Sequence, residues 1–177
     1  GVPDISVDLI FGLSQLSDSQ WRSTLRQALE ISPSGALPSH ISSYQLSVEP
    51  GSALASLVDR GVWTEASDEL CARQYDILCS ELREAGYEHY EISNFALPGY
   101  ESRHNSSYWA GVQYLGLGPS AHSFDGRDTR RANPSSIRDY INRFRNQSEV
   151  PFYEEEHLSD DDLYNEYIMT RLRTMRG

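Results

Sequence analysis

Hydrophobic and polar residues alternate at the start of the chain. Over residues 5–11 the odd positions are apolar, whereas Ser6 and Asp8 occupy even positions. A period of two predicts a β-strand with one apolar face and one more polar face. Asp8 carries the charge of this strand.

A helix and a second strand follow. Ser17 and Gln20 fit a capping box, and Pro33 and Gly35 end the helical pattern. The second strand is predicted over residues 41–48. Because a strand, a helix and a strand at this spacing form a βαβ unit, we expect two parallel neighbouring strands.

Each of these strands has a hydrophilic side. In the second strand that side consists of Ser43, Gln45 and Ser47, and we expect it to lie on the same face of the sheet as Ser6 and Asp8. Strands of a parallel sheet are usually apolar on both faces. The shared face therefore either lines a wet or ligand-filled interior or is solvated at a sheet edge.

The rest of the pattern predicts further helices and strands. A long helix is predicted over residues 64–85 and a strand over residues 89–95. The later elements are predicted in this order: an irregular loop with about one helical turn over 103–113, a strand over 114–124, an antiparallel strand around 129–132, a helix that opens at 133–135, an edge strand near 150–153, and a helix that begins at Ser159.

Composition narrows the classes of partner and location. The net charge of −11 argues against a nucleic-acid partner, because phosphate binding needs clustered Lys and Arg. No apolar run approaches ~18 residues and no apolar leader opens the chain, so neither a transmembrane segment nor a signal peptide is indicated.

Cys71 and Cys79 are too far apart on one helix to bridge each other, and reduced thiols are typical of a cytoplasmic protein. Since regular patterns run up to both ends, we expect the sequence to be part of a longer protein.

Residues 89–123 concentrate side chains that can bind ligands. They contain His89, His104 and His122 without an amphipathic period, which predicts a lined cavity. In the segment HNSSYW at 104–109, the imidazole can ligate iron and the aromatic side chains can cover a flat apolar ligand. The other interpretation of this segment is a hydrogen-bonded histidine in a loop that two aromatic side chains anchor on the core.

Five segments in order resemble one family. They are SVDLIFGL at 6–13, HISSYQLSVEPG at 40–51, GYEHYEISNFALPG at 86–99, SRHNSSYW at 102–109 and YLGLGPSAHSF at 114–124. Together they resemble the radical-SAM family of oxygen-independent coproporphyrinogen III oxidase-like proteins, and within it the heme-chaperone branch.

The resemblance implies an α/β fold. The expected architecture is the later part of a partial (β/α)6 radical-SAM barrel, followed by an α/β extension of the sheet and C-terminal helices. Residues 1–60 would hold the last βαβ part of the barrel and residues 61–177 the extension, both within one compact unit. The cysteines of the family's [4Fe–4S] cluster are expected outside this chain.

The resemblance also implies two sets of site residues, while no catalytic residue is assigned. The set on the side of S-adenosylmethionine is Asp8, Ser47 and His122. The set that matches the heme-associated HNxxY motif is His104, Asn105 and Tyr108, with His104 as the candidate ligand of the heme iron.

Two functions are compatible with the resemblance. The first is a heme chaperone that binds heme and transfers it to an acceptor protein, and a peripheral contact with a membrane-bound acceptor fits this role. The alternative is an oxygen-independent coproporphyrinogen III oxidase, which converts coproporphyrinogen III to protoporphyrinogen IX in porphyrin biosynthesis. Because no cluster can assemble on Cys71 and Cys79 alone, this chain by itself is not expected to catalyse radical chemistry.

Overall fold

The chain forms two compact units. The computed structural model describes residues 4–31, 35–146 and 153–175, and it divides into Gly1–Ser102 and Arg103–Gly177. The division expected between residues 60 and 61 stays a prediction.

The first unit combines a mixed sheet with helices. The sheet is four-stranded in the order β1-β2-β4-β3. In chain order the elements are β1 (Ser6–Phe11), α1 (Asp18–Leu29), β2 (His40–Gln45), α2 (Ala53–Asp59), α3 (Asp68–Glu84), β3 (Glu88–Glu91) and β4 (Asn94–Ala96).

The parallel pair that the sequence predicts is confirmed. β1 and β2 are parallel neighbours joined through α1, as a βαβ unit requires. Ser17 caps α1, and the capping box with Gln20 is present, so the local signals for the start of this helix are also confirmed.

The single strand predicted over residues 89–95 is wrong. The segment turns at Ile92 and Ser93, so that β3 and β4 form an antiparallel hairpin. The Glu91 carboxylate accepts a hydrogen bond of 2.6 Å from the Ser93 backbone N–H, which stabilises this tight turn. Tyr90, Ile92 and Phe95 keep apolar side chains before, within and after the turn, so the hydrophobic pattern alone did not reveal it.

The core lies between one face of the sheet and the helices α1 and α3. The strands contribute Phe11, Ile41 and Phe95, and all three are at most 5% exposed. The helices contribute the fully buried side chains Trp21, Leu25, Leu78 and Leu82.

The predicted faces of β2 are wrong. The register pairs Asp8 with Ser42 and Leu9 with Ser43, so Ser43 and Gln45 point to the core side rather than to the side of Asp8. The strand ends at Gln45, and Ser47 lies beyond it, where its hydroxyl donates to Glu49. The apolar residues at 46 and 48 suggested the wrong parity because they follow the end of the strand.

A buried glutamine fixes the loop between β1 and α1. Gln74 on α3 is 0% exposed. Its Oε1 accepts from the Gly12 backbone N–H at 2.7 Å, and its Nε2 donates to the Leu16 carbonyl at 3.0 Å. The Trp21 indole N–H donates to the Gln74 carbonyl at 2.9 Å. One residue therefore satisfies three polar groups that would otherwise be buried without a partner.

The second unit combines a small antiparallel sheet with helices. Its sheet order is β5-β6-β7. In chain order the elements are α4 (Arg103–Trp109), β5 (His122–Phe124), β6 (Thr129–Ala132), α5 (Ile137–Asn146), β7 (Glu154–His157) and α6 (Asp160–Leu172).

The elements of the second unit follow the prediction in part. The antiparallel pairing of β5 with β6 and the start of the last helix after Ser159 are confirmed. The strand predicted over 114–124 is much shorter, with Tyr114 joined to Phe124 by an isolated bridge. The irregular loop predicted over 103–113 contains the helix α4. The edge strand predicted near 150–153 lies almost entirely outside the described residues.

A close backbone approach explains one glycine of the long loop before β5. A Cβ atom on Gly116 would lie 2.1 Å from the His122 carbonyl oxygen. The Gly116 N–H donates to the Ser123 hydroxyl at 2.9 Å, and the Asn133 side chain donates to the Gly118 carbonyl at 2.9 Å. This close approach requires glycine at position 116.

No helix within residues 4–31, 35–146 and 153–175 is both long and apolar enough to cross a membrane.

We expect Gln74→Met to destabilise the first unit. The substitution keeps the volume but leaves the Gly12 N–H and the Leu16 carbonyl without partners, and each buried unpaired group costs about 1–3 kcal/mol. Urea denaturation followed by tryptophan fluorescence should show a loss of about 2 kcal/mol or more. Gln27→Met, on the exposed side of α1, is the control and should change the free energy of unfolding little. Equal effects of the two substitutions would contradict the role of Gln74.

Gly116→Ala should destabilise the second unit through its clash with the His122 carbonyl, by about 1–3 kcal/mol. Gly111→Ala serves as the comparison, because Gly111 has φ +66° and open space around it. That variant bears only the cost of the left-handed backbone, about 1 kcal/mol. Thermal unfolding of both variants measures the difference, and a smaller loss for Gly116→Ala than for Gly111→Ala would disagree with the structure.

Candidate functional site

One face of the first sheet is polar. The register places Asp8 beside Ser42 and Ser42 beside Asn94, so these three side chains point to the side opposite the core. Ser6 and His40 pair one step earlier on the same face. Asp8 is exposed, whereas His40, Ser42 and Asn94 are buried.

His40 lies at the centre of a hydrogen-bonded row on this face. Its Nδ1 lies 3.1 Å from the Ser6 hydroxyl, and its Nε2 lies 2.7 Å from the Tyr90 hydroxyl. Burial lowers the pKa of His40 below its ordinary value, and the negative charges of Asp8 and Glu91 oppose this shift. The neutral imidazole is therefore favoured, with one ring nitrogen donating and the other accepting.

The neighbouring carboxylate and amide form a second polar contact. Glu91 is 2% exposed and accepts from the Asn94 side-chain NH₂ at 2.5 Å. The Asn94 Oδ1 atom is buried and has no hydrogen-bond partner within the described part of the chain. A buried acceptor without a donor suits a ligand that supplies one. The residues of this face thus fit a polar ligand such as S-adenosylmethionine.

The three residues predicted on the S-adenosylmethionine side lie in different settings. Asp8 is on the polar face, Ser47 is exposed beyond the end of β2, and His122 is exposed at the start of β5. Asp8 and Ser47 belong to the first unit and His122 to the second. The role of each residue toward this ligand stays a prediction.

The predicted heme residues lie on the short helix α4. His104 and Tyr108 are one turn apart, and their rings meet edge to face with centroids 4.8 Å apart. Asn105 is half-buried, whereas His104 is exposed. An exposed imidazole can accept a metal or a ligand from outside, so the residues fit an iron ligand at His104.

A series of aromatic rings continues from Tyr108. The Tyr108 and Tyr114 rings meet at 4.6 Å, and the Tyr114 and Phe124 rings at 6.2 Å. Burial raises the pKa of Tyr114. The Trp109 ring is covered by the Arg173 guanidinium at 4.6 Å.

These rings line a cavity of about 560 Å³ within the second unit. This volume lies in the range of roughly 300–1,000 Å³ that is typical of small-molecule sites. Its aromatic lining residues are Tyr108, Trp109, Tyr114, Phe124 and Tyr167. Its charged lining residues are Arg127, Arg130, Glu166 and Arg171. A cavity with flat apolar walls and a few charged groups suits a planar ligand that carries charged substituents.

His89 does not belong to either site. Its ring stacks on Phe95 at 4.2 Å and lies 3.3 Å from the Tyr75 hydroxyl. The predicted cavity of residues 89–123 is therefore divided, because His89 stabilises the hairpin of the first unit and only the later part of the segment contributes to the cavity.

The two cysteines do not fit a cluster. Burial raises the pKa of both Cys71 and Cys79, which favours the thiol over the thiolate that binds metal. Within the described ranges no group of three or more His, Cys, Asp or Glu side chains could hold a metal ion. The residues present thus do not fit a [4Fe–4S] cluster.

Sequence reasoning missed the central histidine of the polar face. His40 precedes the predicted start of β2 at residue 41, and the predicted parity of this strand placed its even positions on the face opposite Ser6 and Asp8, whereas the register pairs His40 with Ser6 and Ser42 with Asp8. The ion pair of the cavity was not visible in the sequence either, because Arg130 and Glu166 are 36 residues apart and no local pattern connects them.

Comparisons with known proteins agree with the resemblance seen in the sequence. The chain is 34% identical to the heme chaperone HemW of Mycobacterium tuberculosis over 177 residues, which are 100% of this chain and 44% of that protein. It is 32% identical to the heme chaperone HemW of Bacillus subtilis, again over 100% of this chain and 45% of that protein. No family model matches the chain.

A solved structure supports the fold. The coproporphyrinogen III oxidase HemN of Escherichia coli, described as a radical SAM enzyme, matches 98% of this chain and 41% of its own chain with a TM-score of 0.71 and 18% identity. The predicted α/β fold class is therefore confirmed. The chain spans less than half the length of each of these relatives.

The stability of the first unit should fall as the pH decreases below about 6.5. The unfolded chain protonates His40 near its ordinary pKa of 6.5, whereas the folded chain protonates it at a lower pH. The contribution of the neutral imidazole is therefore complete above pH 6.5 and is lost as the pH falls to the pKa of the folded state. Urea denaturation between pH 7 and pH 5 measures this slope.

His40→Asn should reduce the slope, and His157→Asn, which changes an exposed histidine of β7, should leave it unchanged. If the free energy of unfolding of His40→Asn changes with pH as steeply as that of the wild type, groups other than His40 cause the pH dependence.

Proposed function

This chain belongs to the radical-SAM coproporphyrinogen III oxidase-like family, in its heme-chaperone branch, and on this premise we propose that the protein containing it binds heme and passes it to an acceptor protein. The relatives that cover the whole chain at 32% and 34% identity carry the name heme chaperone. The oxidase relates to this chain at 18% identity, which supports its fold alone.

The proposed heme binding rests on the geometry of α4. His104 is exposed, and its ring contacts Tyr108, which itself lines the aromatic cavity. In the proposal, His104 supplies an axial ligand to the heme iron while the aromatic walls contact the porphyrin plane. Asn105, next to His104 on the helix, is proposed to help orient the site.

The remaining parts of the proposal concern groups outside this site. Asp8 on the polar face is proposed to contact S-adenosylmethionine, and Ser47 and His122 remain candidates for the same role. The [4Fe–4S] cluster is proposed to be held by residues outside this chain. We propose the cytoplasm as the location and a heme-accepting protein, soluble or membrane-bound, as the partner.

A coproporphyrinogen III oxidase is the second candidate function, because the aromatic walls and arginines of the cavity would also suit that substrate. In that case the ligand of the cavity would be coproporphyrinogen III, another tetrapyrrole with carboxylate groups. Anaerobic assays of the full-length protein with reductant and S-adenosylmethionine distinguish the two functions. Release of CO₂ from coproporphyrinogen would favour the oxidase, and heme binding without this release would favour the chaperone.

Heme titration of the full-length protein should depend on His104. His104→Ala removes the proposed axial ligand, so we expect about tenfold or more weaker binding and a shifted Soret band. Because His104 is exposed, the thermal stability should be unchanged. His157→Ala, another exposed histidine of the same unit, is the matched control. Unchanged affinity together with lower stability would favour the interpretation that this segment only anchors a loop.

A further inference from the structure

The aromatic cavity of the second unit has an unusual balance of charge. Three guanidinium groups line it, from Arg127, Arg130 and Arg171, against the single carboxylate of Glu166. The chain as a whole carries a net charge of −11. Positive charge is therefore concentrated at the one described site whose walls also suit a planar ligand, and such a site favours an anion.

Arg130 is the best-placed of these groups. Its Nη2 donates to Glu166 Oε1 at 2.5 Å, and its Nη1 lies 3.7 Å from Glu156 Oε2. Because β6 carries Arg130 and α6 carries Glu166, this ion pair joins the two elements across the cavity. The guanidinium is already oriented toward a carboxylate, in the geometry that another carboxylate could use.

The other two arginines have donors available. Within the described residues neither Arg127 nor Arg171 forms an ion pair. The Arg171 guanidinium lies 5.1 Å from the Tyr167 ring centroid, and its buried Nε has no acceptor in the described part of the chain. A buried guanidinium donor such as the Arg171 Nε–H is costly without an acceptor, and a ligand carboxylate could supply one.

We propose that this cavity recognises the carboxylate groups of its tetrapyrrole, and that Arg130 exchanges Glu166 for a ligand carboxylate when the ligand binds. The inference rests on the proposed function, because it assigns a specificity to the same site. Tyr108 connects the proposed iron ligand with the cavity, since its ring contacts His104 and also lines the cavity. A porphyrin whose iron lies at His104 and whose plane contacts Tyr108 would extend its edge toward the arginines.

The proposed exchange predicts that two substitutions change the affinity for hemin in opposite directions. In Arg130→Gln the cation that binds the ligand carboxylate is lost. In Glu166→Gln the competing carboxylate is lost, and Arg130 keeps its charge. Both substitutions break the same ion pair between β6 and α6, so a purely structural role would shift the affinity in the same direction in both variants.

The experiment is a titration of the full-length protein with hemin and with hemin dimethyl ester, which lacks free carboxylates. Wild-type protein should bind hemin about tenfold more tightly than the ester. Arg130→Gln should weaken hemin binding about tenfold and leave ester binding unchanged within about twofold. Glu166→Gln should tighten hemin binding by a few-fold. Arg138→Gln, an exposed change on α5 outside the cavity, is the control and should have no effect.

Three results of these titrations would overturn the proposed role of Arg130. Equal wild-type affinity for hemin and its ester would overturn this inference while leaving the heme site in place. Weaker hemin binding in both Arg130→Gln and Glu166→Gln would also overturn it, because that result indicates a structural ion pair. Absence of hemin binding by the wild-type protein would overturn the proposed function and this inference with it.

Discussion

The parallel register of β1 and β2 is the constraint on which the first unit depends. Pairing Asp8 with Ser42 and Leu9 with Ser43 assigns every side chain of both strands to one of two faces, because side chains alternate along a strand. One face is buried under α1 and α3, and the other carries Asp8 and His40. A shift of one residue would exchange the two faces, so the same pairing determines both the core and the candidate ligand-binding face.

Much of this architecture could be predicted from the sequence because its signals are local. The capping box at Ser17 and the period-two pattern of β1 each depend on residues within a few positions of one another. The hairpin and the face of β2 could not be predicted in the same way. The turn after Glu91 depends on a side-chain hydrogen bond, and the face of β2 depends on its pairing with other strands. The role of Gln74 has no sequence signal, since the two groups that its side chain binds lie 62 and 58 residues away.

The candidate sites differ in how much of each could be predicted from the sequence. The HNxxY segment was visible as a motif, and the structure adds that its His104 and Tyr108 meet on one helix face. The cavity was not visible, because Tyr108, Phe124 and Tyr167 come from separate elements that only folding brings together. The two units thus offer different chemistry. The first provides a polar face with a neutral buried histidine, and the second provides an aromatic cavity with excess positive charge.

We propose that heme binds at α4, with its iron at His104. The most direct test is anomalous diffraction at the iron edge from crystals of the full-length protein with bound hemin. We expect an iron peak within coordination distance of a ring nitrogen of His104, with the porphyrin plane against Tyr108. A heme iron peak on the polar face of the first sheet, or at any position remote from α4, would contradict it.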